Sequence, residues 1–189
     1  MIEIRIHGRG GQGAVVASNI LASAFFTEGK WAQAFPSFGG ERRGAPVAAF
    51  VRADGHEIAI RSNIYRPDHV VVLDASLIKT IDVTAGLKEN GWIIINTSKP
   101  FDSFSFTRRF FIAAVDANSI AVRHRLGSTT SPIVNTVILG AFSRVTQLVG
   151  IDAVIEAIRE IVPSNPEKNI LATEEAYENV SFFARQSGF

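Results

Sequence analysis

The chain has 189 residues, 47 % hydrophobic and 20 % charged, a composition that supports a packed core and argues against disorder. It contains no cysteine, so disulfides, thiolate catalysis, zinc–cysteine sites and cysteine-held iron–sulfur clusters are excluded within it. Its net charge of +1 falls short of a nucleic-acid-binding patch, although residues 1–150 carry 16 Lys/Arg against 11 Asp/Glu and residues 151–189 carry 3 against 7.

Ile2, Ile4 and Ile6 alternate with Glu3, Arg5 and His7, which predicts a strand. Residues 8–13 form a glycine-rich turn. Residues 14–27 are small and apolar enough for a helix, stopped by Gly29. Residues 31–35 predict a second strand and residues 36–46 a loop. Asp54-Gly55 between residues 47–52 and 57–61 is a hairpin signal, so the sheet is expected to be mixed. Residues 70–73 and 92–95 are short apolar runs of the kind that form buried central strands. A helix is expected over residues 76–90, weakened by β-branched Thr80, Ile81, Val83 and Thr84. A strand at 110–115 precedes a helix at 117–124 capped by Asp116. Residues 133–149, 152–161 and 167–184 predict three closing helices, the last two separated by Pro163 and Pro166. The alternation predicts one α/β domain over residues 1–189, three-layered, with a mixed, mainly parallel central sheet and C-terminal helices from about 133. No apolar run approaches the ~18 residues of a membrane span. The opening residues lack the pattern of a signal peptide. A cytoplasmic location is therefore expected, with no membrane partner.

The clearest chemical feature is His7-Gly8-Arg9-Gly10-Gly11-Gln12-Gly13, between the first strand and the first helix. Glycines allow a tight reversal and close approach of a ligand to the backbone, and the free N–H groups of the following helix favour an anion. Gly8-x-Gly10-x-x-Gly13 matches a dinucleotide fingerprint, but no acid ends the second strand, where the ribose would need one. No Gly-Lys-Ser/Thr follows, which excludes a triphosphate P-loop. A turn that only packs helix against sheet is the bland alternative. The second unusual segment is Phe35-Pro36-Ser37-Phe38-Gly39-Gly40-Glu41-Arg42-Arg43-Gly44-Ala45-Pro46. Its arginines can grip phosphate or carboxylate with a planar fork of donors. Alternatively, Glu41 pairs with Arg42 or Arg43 on the surface, an interaction worth only ~0–1 kcal/mol.

Together these segments resemble the gamma subunit of pyruvate and related 2-oxoacid:ferredoxin oxidoreductases. Asp68-His69-Val70-Val71-Val72-Leu73-Asp74 and Asn135-Thr136-Val137-Ile138-Leu139-Gly140-Ala141 extend the likeness over nearly the whole chain. Gln33-Ala34-Phe35-Pro36 and Arg43-Gly44-Ala45-Pro46 look closest to pyruvate members. The resemblance implies a multisubunit enzyme converting pyruvate, coenzyme A and oxidised ferredoxin to acetyl-CoA, carbon dioxide and reduced ferredoxin, or the reverse. It implies thiamine diphosphate and iron–sulfur clusters on partner subunits, no cofactor in this chain, and alpha, beta and delta subunits as partners. The isolated chain is then expected to be inactive. 2-Oxoisovalerate and 2-oxoglutarate remain alternative substrates. A stand-alone nucleotide-binding oxidoreductase and a pure scaffold remain alternative functions.

No catalytic residue and no metal-ligand set stands out. The ligand or interface candidates are Gly8, Arg9, Gly10, Gly11, Gln12, Gly13, Glu41, Arg42, Arg43, Gly44 and Asn135. Of these, Arg9, Gln12, Arg42 and Arg43 are the expected holders of coenzyme A phosphates. His7 reads as a positioned strand-end histidine. Asp74 either caps the next helix or touches a ligand. The segment Ser128-Thr129-Thr130-Ser131-Pro132 reads as a helix cap. His124, between Arg123 and Arg125, suggests an anion-facing patch. The phenylalanines between 101 and 111 suggest core packing with an interface remainder.

Overall fold

A computed structural model of the chain describes residues 1–37, 44–104, 106 and 109–183. Strand β1 (Ile2–Arg9) leads into helix α1 (Ala14–Thr27), then β2 (Trp31–Pro36) and β3 (Pro46–Asp54). β4 (His69–Val72), β5 (Trp92–Asn96) and β6 (Phe111–Val115) follow, then α2 (Ala117–Arg123) and a short hairpin of β7 (Gly127–Ser128) and β8 (Ser131–Pro132). The chain closes with α3 (Val137–Thr146), α4 (Ile151–Ile161), α5 (Pro166–Asn179) and β9 (Ser181–Phe183). Seven strands form one sheet in the order β2-β3-β1-β4-β5-β6-β9. It is parallel through β1, β4, β5 and β6, and antiparallel at both edges.

The period-2 pattern of β1 decides its two faces. Ile4 and Ile6 join Val51, Val71, Ile94 and Ala113 in a core shared with all five α-helices. The opposite face of β4–β6 presents Val70, Val72, Ile93, Ile95 and Ile112, covered by Leu77, Val83, Leu87, Phe104 and Phe110. The third layer is therefore built of turns, including 3-10 turns at Ala75–Lys79 and Phe101–Ser103, rather than long helices. Fully burying each large aliphatic side chain stabilises the fold by about 1.5–3 kcal/mol. On that same opposite face β1 carries Glu3, Arg5 and His7, of which Arg5 and His7 are buried.

Several expectations are corrected. Residues 57–61 form no strand, and Asp54-Gly55 turns no hairpin; the antiparallel partners of β3 are β1 and β2. The carbonyls of Ile58 and Ile60 instead accept from the Gln33 and Arg52 side chains, and the Asp54 carboxylate takes the N-terminal ammonium. No helix spans 76–90. Asp82 accepts from Thr84 N–H and hydroxyl, and Gly86 at φ +72 turns the chain against the Tyr65 carbonyl. Ser128 accepts from Ser131 N–H inside the β7–β8 hairpin, so the segment does not cap α3, which begins at Val137. The last helix stops at Asn179, and the chain continues as an edge strand. Buried Phe104 and Phe110 serve the core.

Candidate functional site

The carboxyl ends of β1 and β4 are neighbours, yet the chain leaves them over opposite faces: from β1 into α1, from β4 into the turn at Ala75–Lys79. Such a divergence opens a crevice, and in α/β sheets ligands collect there. The glycine turn sits at this point. Gly13 is the N-cap of α1 at φ 79, a left-handed conformation that glycine adopts without penalty. Asn135 packs against it, with Nδ2 2.4 Å from where a Cβ would lie. Gly13→Ala should cost about 1–2 kcal/mol for the backbone alone, with Asn135 displaced besides; thermal unfolding measures it.

The end of the second loop meets the turn. Gly10 N–H donates to the Ala45 carbonyl at 2.9 Å and Gly44 N–H to the Gly10 carbonyl at 3.1 Å. Glu41, Arg42 and Arg43 lie outside the described residues.

Arg9 and Gln12 are brought to the turn, but their polar groups are spent within it. Arg9 Nε donates to Asp74 Oδ2 at 2.8 Å, its other nitrogens to Ser76 Oγ and the Gly44 carbonyl. Gln12 Oε1 accepts from Arg9 N–H at 2.8 Å. Asp74 also caps the following turn by accepting from Ser76 N–H. Burial pulls the Asp74 carboxyl upward, but the hydrogen bonds from Ser76 and Arg9 outweigh it and hold it below its ordinary range. Of the two expectations for Asp74, the cap is observed, and the same carboxylate also clamps Arg9.

His7 is also committed. Arg5 Nε donates to its Nε2 at 3.0 Å, while Arg5 donates onward to the carbonyls of Val83 and Ala85. Burial first, then the Arg5 charge, push His7 down to about 4. It is a neutral acceptor, as a positioned strand-end histidine should be. Arg123 and His124 both turn to Glu175 on α5 rather than to an open anion patch.

Beside the turn lies a cleft of about 1260 Å³ at the carboxyl ends of β4, β5 and β6. Gln12, Asp74, Lys79, Asn96, Lys99 and Asn118 are among its lining residues. Asn96 is buried and fixed, donating to the Leu73 carbonyl and to Asn118 Oδ1. Gln12 and Asp74 were legible in the sequence, but Lys79, Asn96, Lys99 and Asn118 were not, because they come from three separate strand ends; only their positions after apolar runs signalled them.

The sheet order weighs against a dinucleotide fold. There the strand after the first helix lies beside β1 and brings an acid to the ribose. Here antiparallel β3 intervenes between β1 and β2.

Residues 3–179 match the model of the pyruvate ferredoxin/flavodoxin oxidoreductase family. The chain belongs to that family. Among relatives of this family, the Pyrococcus abyssi protein named pyruvate/ketoisovalerate oxidoreductases common subunit gamma is 53 % identical over 187 residues, covering 97 % of this chain and 99 % of its own. Pyruvate synthase subunit PorC of Methanothermobacter marburgensis is 51 % identical over 181 residues, covering 95 % and 98 %. The crystal structure of pyruvate oxidoreductase subunit PORC from Thermotoga maritima superposes with a TM-score of 0.80 at 36 % identity, covering 96 % of this chain and 97 % of that one. Among the described residues no helix is long and apolar enough to cross a membrane.

Proposed function

We propose that this chain is the gamma subunit of a multisubunit pyruvate:ferredoxin oxidoreductase, inactive alone. Its end-to-end match to gamma and PorC subunits carries the proposal. Alpha, beta and delta subunits are its partners in the cytoplasm. With no cysteine in its sequence, the chain brings no thiolate for a cluster, so cysteine-held iron–sulfur chemistry falls to those partners; the family likeness supports assigning thiamine diphosphate to them as well. The chain's own contribution is an edge where the glycine turn and the second loop meet, with the adjacent cleft receiving coenzyme A. What supports this is the convergence of the turn, Gly44 and the cleft on one end of the sheet. Asn135, packed on Gly13, holds the turn from behind.

One observation favours a second substrate. The Pyrococcus relative is named a common subunit for pyruvate and ketoisovalerate enzymes, so one such chain can serve a 2-oxoisovalerate complex as well. Substrate choice then resides in the other subunits.

Reconstitution tests the proposal. Adding this chain to the other subunits should restore coenzyme A-dependent pyruvate oxidation, and full activity without it would refute the assignment. In the intact complex, replacing Arg42 and Arg43 by alanine should raise the KM for coenzyme A if the second loop reaches the ligand; an unchanged KM removes the loop from that role.

A further inference from the structure

We infer that the phosphate end of the ligand is anchored by Lys79 and Lys99 in the cleft, and not by the arginine of the glycine turn. The inference rests on the coenzyme A reading above and assigns the residues that discriminate the ligand.

Charge economy carries it. Three of the cleft's charged side chains are spent within the fold. Asp74 is held by Arg9 and Ser76 N–H. Asp116 accepts from Ser119 N–H and Oγ as the cap of α2. Arg123 is turned to Glu175, uncharged Gln12 accepts from the Arg9 backbone N–H, and the Arg9 guanidinium beside the cleft is taken up by Asp74, Ser76 and the Gly44 carbonyl. Among the described residues, the ammonium groups of Lys79 and Lys99 have no hydrogen-bond or ion-pair partner, and both line the cleft. The unspent charge is therefore positive, and it comes from two sides. Lys79 ends the 3-10 turn after β4. Lys99 follows β5, its N–H fixed to Thr97 Oγ1 at 3.0 Å. Ser98 and Thr130 add hydroxyl donors, while Ile78 and Val122 supply an apolar wall for the uncharged part of the ligand. Two exposed ammonium groups lining a hydroxyl-rich cleft suit a phosphomonoester, a compact dianion that lysine binds as a point charge.

The experiment uses the intact complex at saturating 2-oxoacid, with coenzyme A and with dephospho-coenzyme A, which lacks the terminal phosphomonoester. Lys79→Ala and Lys99→Ala should each raise the KM for coenzyme A about tenfold, the size expected for one charge-assisted hydrogen bond, with kcat unchanged. The KM for dephospho-coenzyme A should change less than about threefold. Lys168→Ala, an exposed lysine on α5, should leave both values as they are. Equal losses with the two carriers would overturn the phosphate assignment, as would unchanged KM values in both lysine variants. If a complex lacking this chain keeps the same KM for coenzyme A, the underlying reading fails, and this inference with it.

Discussion

Acidification should unfold the purified chain early, with about 6 kcal/mol of stability lost between pH 7 and pH 4. Two histidines cause it. His7 and His69 are each held down to about 4 from an ordinary 6.5, in both cases chiefly by burial. Both act as hydrogen-bond acceptors, a role only the neutral ring can fill: His7 Nε2 takes Arg5 Nε, and His69 Nδ1 takes Trp92 N–H at 3.2 Å. Arg5 repels a proton on His7 and Asp82 attracts one less strongly; Asp68 and Lys88 act in opposite senses on His69. Because the folded pKa lies below the unfolded one, the unfolded chain takes up protons first as pH falls. The contribution is whole above pH 6.5, is lost on the way down to 4, and amounts to about 3 kcal/mol per histidine by pH 4. That is a large share of a typical 5–15 kcal/mol. Urea unfolding across this range measures it. The His7→Gln, His69→Asn variant keeps an acceptor at each site without a titrating ring, and should lose little stability from pH 6.5 to 4.5. A wild-type curve flat over that range would contradict the burial argument.

Gly140→Ala should be among the most damaging single methyls in the fold. Gly140 lies in α3, and a Cβ there would sit 1.9 Å from the Thr173 carbonyl oxygen and 3.0 Å from Tyr177 N on α5. Both are backbone atoms of a packed helix, so no side chain can swing aside. The same seam is pinned by hydrogen bonds: Thr136 Oγ1 to Asn169 Oδ1 at 2.8 Å, and Thr173 Oγ1 to the Thr136 carbonyl at 3.2 Å. Moving α5 outward to admit the methyl stretches these bonds and opens the core beneath. Alanine gains about 1 kcal/mol of helix propensity, but overpacking of this severity should leave a net loss of at least about 3 kcal/mol, or roughly 6–12 °C in Tm. Gly55→Ala is the contrast: nothing lies within 4 Å of its added Cβ, and its Tm should stay close to wild type. Equal melting of the two variants would show that α3 and α5 are not held at this distance.

The sequence disclosed the parts of the fold that obey local rules. The alternation of Ile2, Ile4 and Ile6, the glycine turn, and the apolar runs of β4 and β5 are short-range signals strong enough to survive folding. The failures lie where distant groups win. Asp54-Gly55 carries a hairpin signal, but β3 finds both its partners elsewhere, and residues 57–61 hand their carbonyls to Gln33 and Arg52. The 76–90 stretch lost its helix to an Asp82 cap and a Gly86 backbone contact that no periodicity reveals. β9 is three residues long and exists only because β6 offers an edge. Gly11, Gly13 and Gly44 were legible as turn glycines because a left-handed backbone is a local demand that glycine meets. Arg9 was legible as a charged group but not as a spent one, since Asp74 lies 65 positions away. Lys79 and Lys99 went unnoticed because lone lysines carry no pattern.

Co-purification from native extract bears most directly on the central claim that this polypeptide is a ligand-receiving subunit of a larger redox assembly. With an affinity tag on this chain, three further polypeptides should elute in constant ratio, one bearing ferredoxin-like cysteine clusters, and the eluate should oxidise pyruvate only when coenzyme A is supplied. A chain that elutes alone, or one that oxidises the 2-oxoacid unaided, would contradict the account.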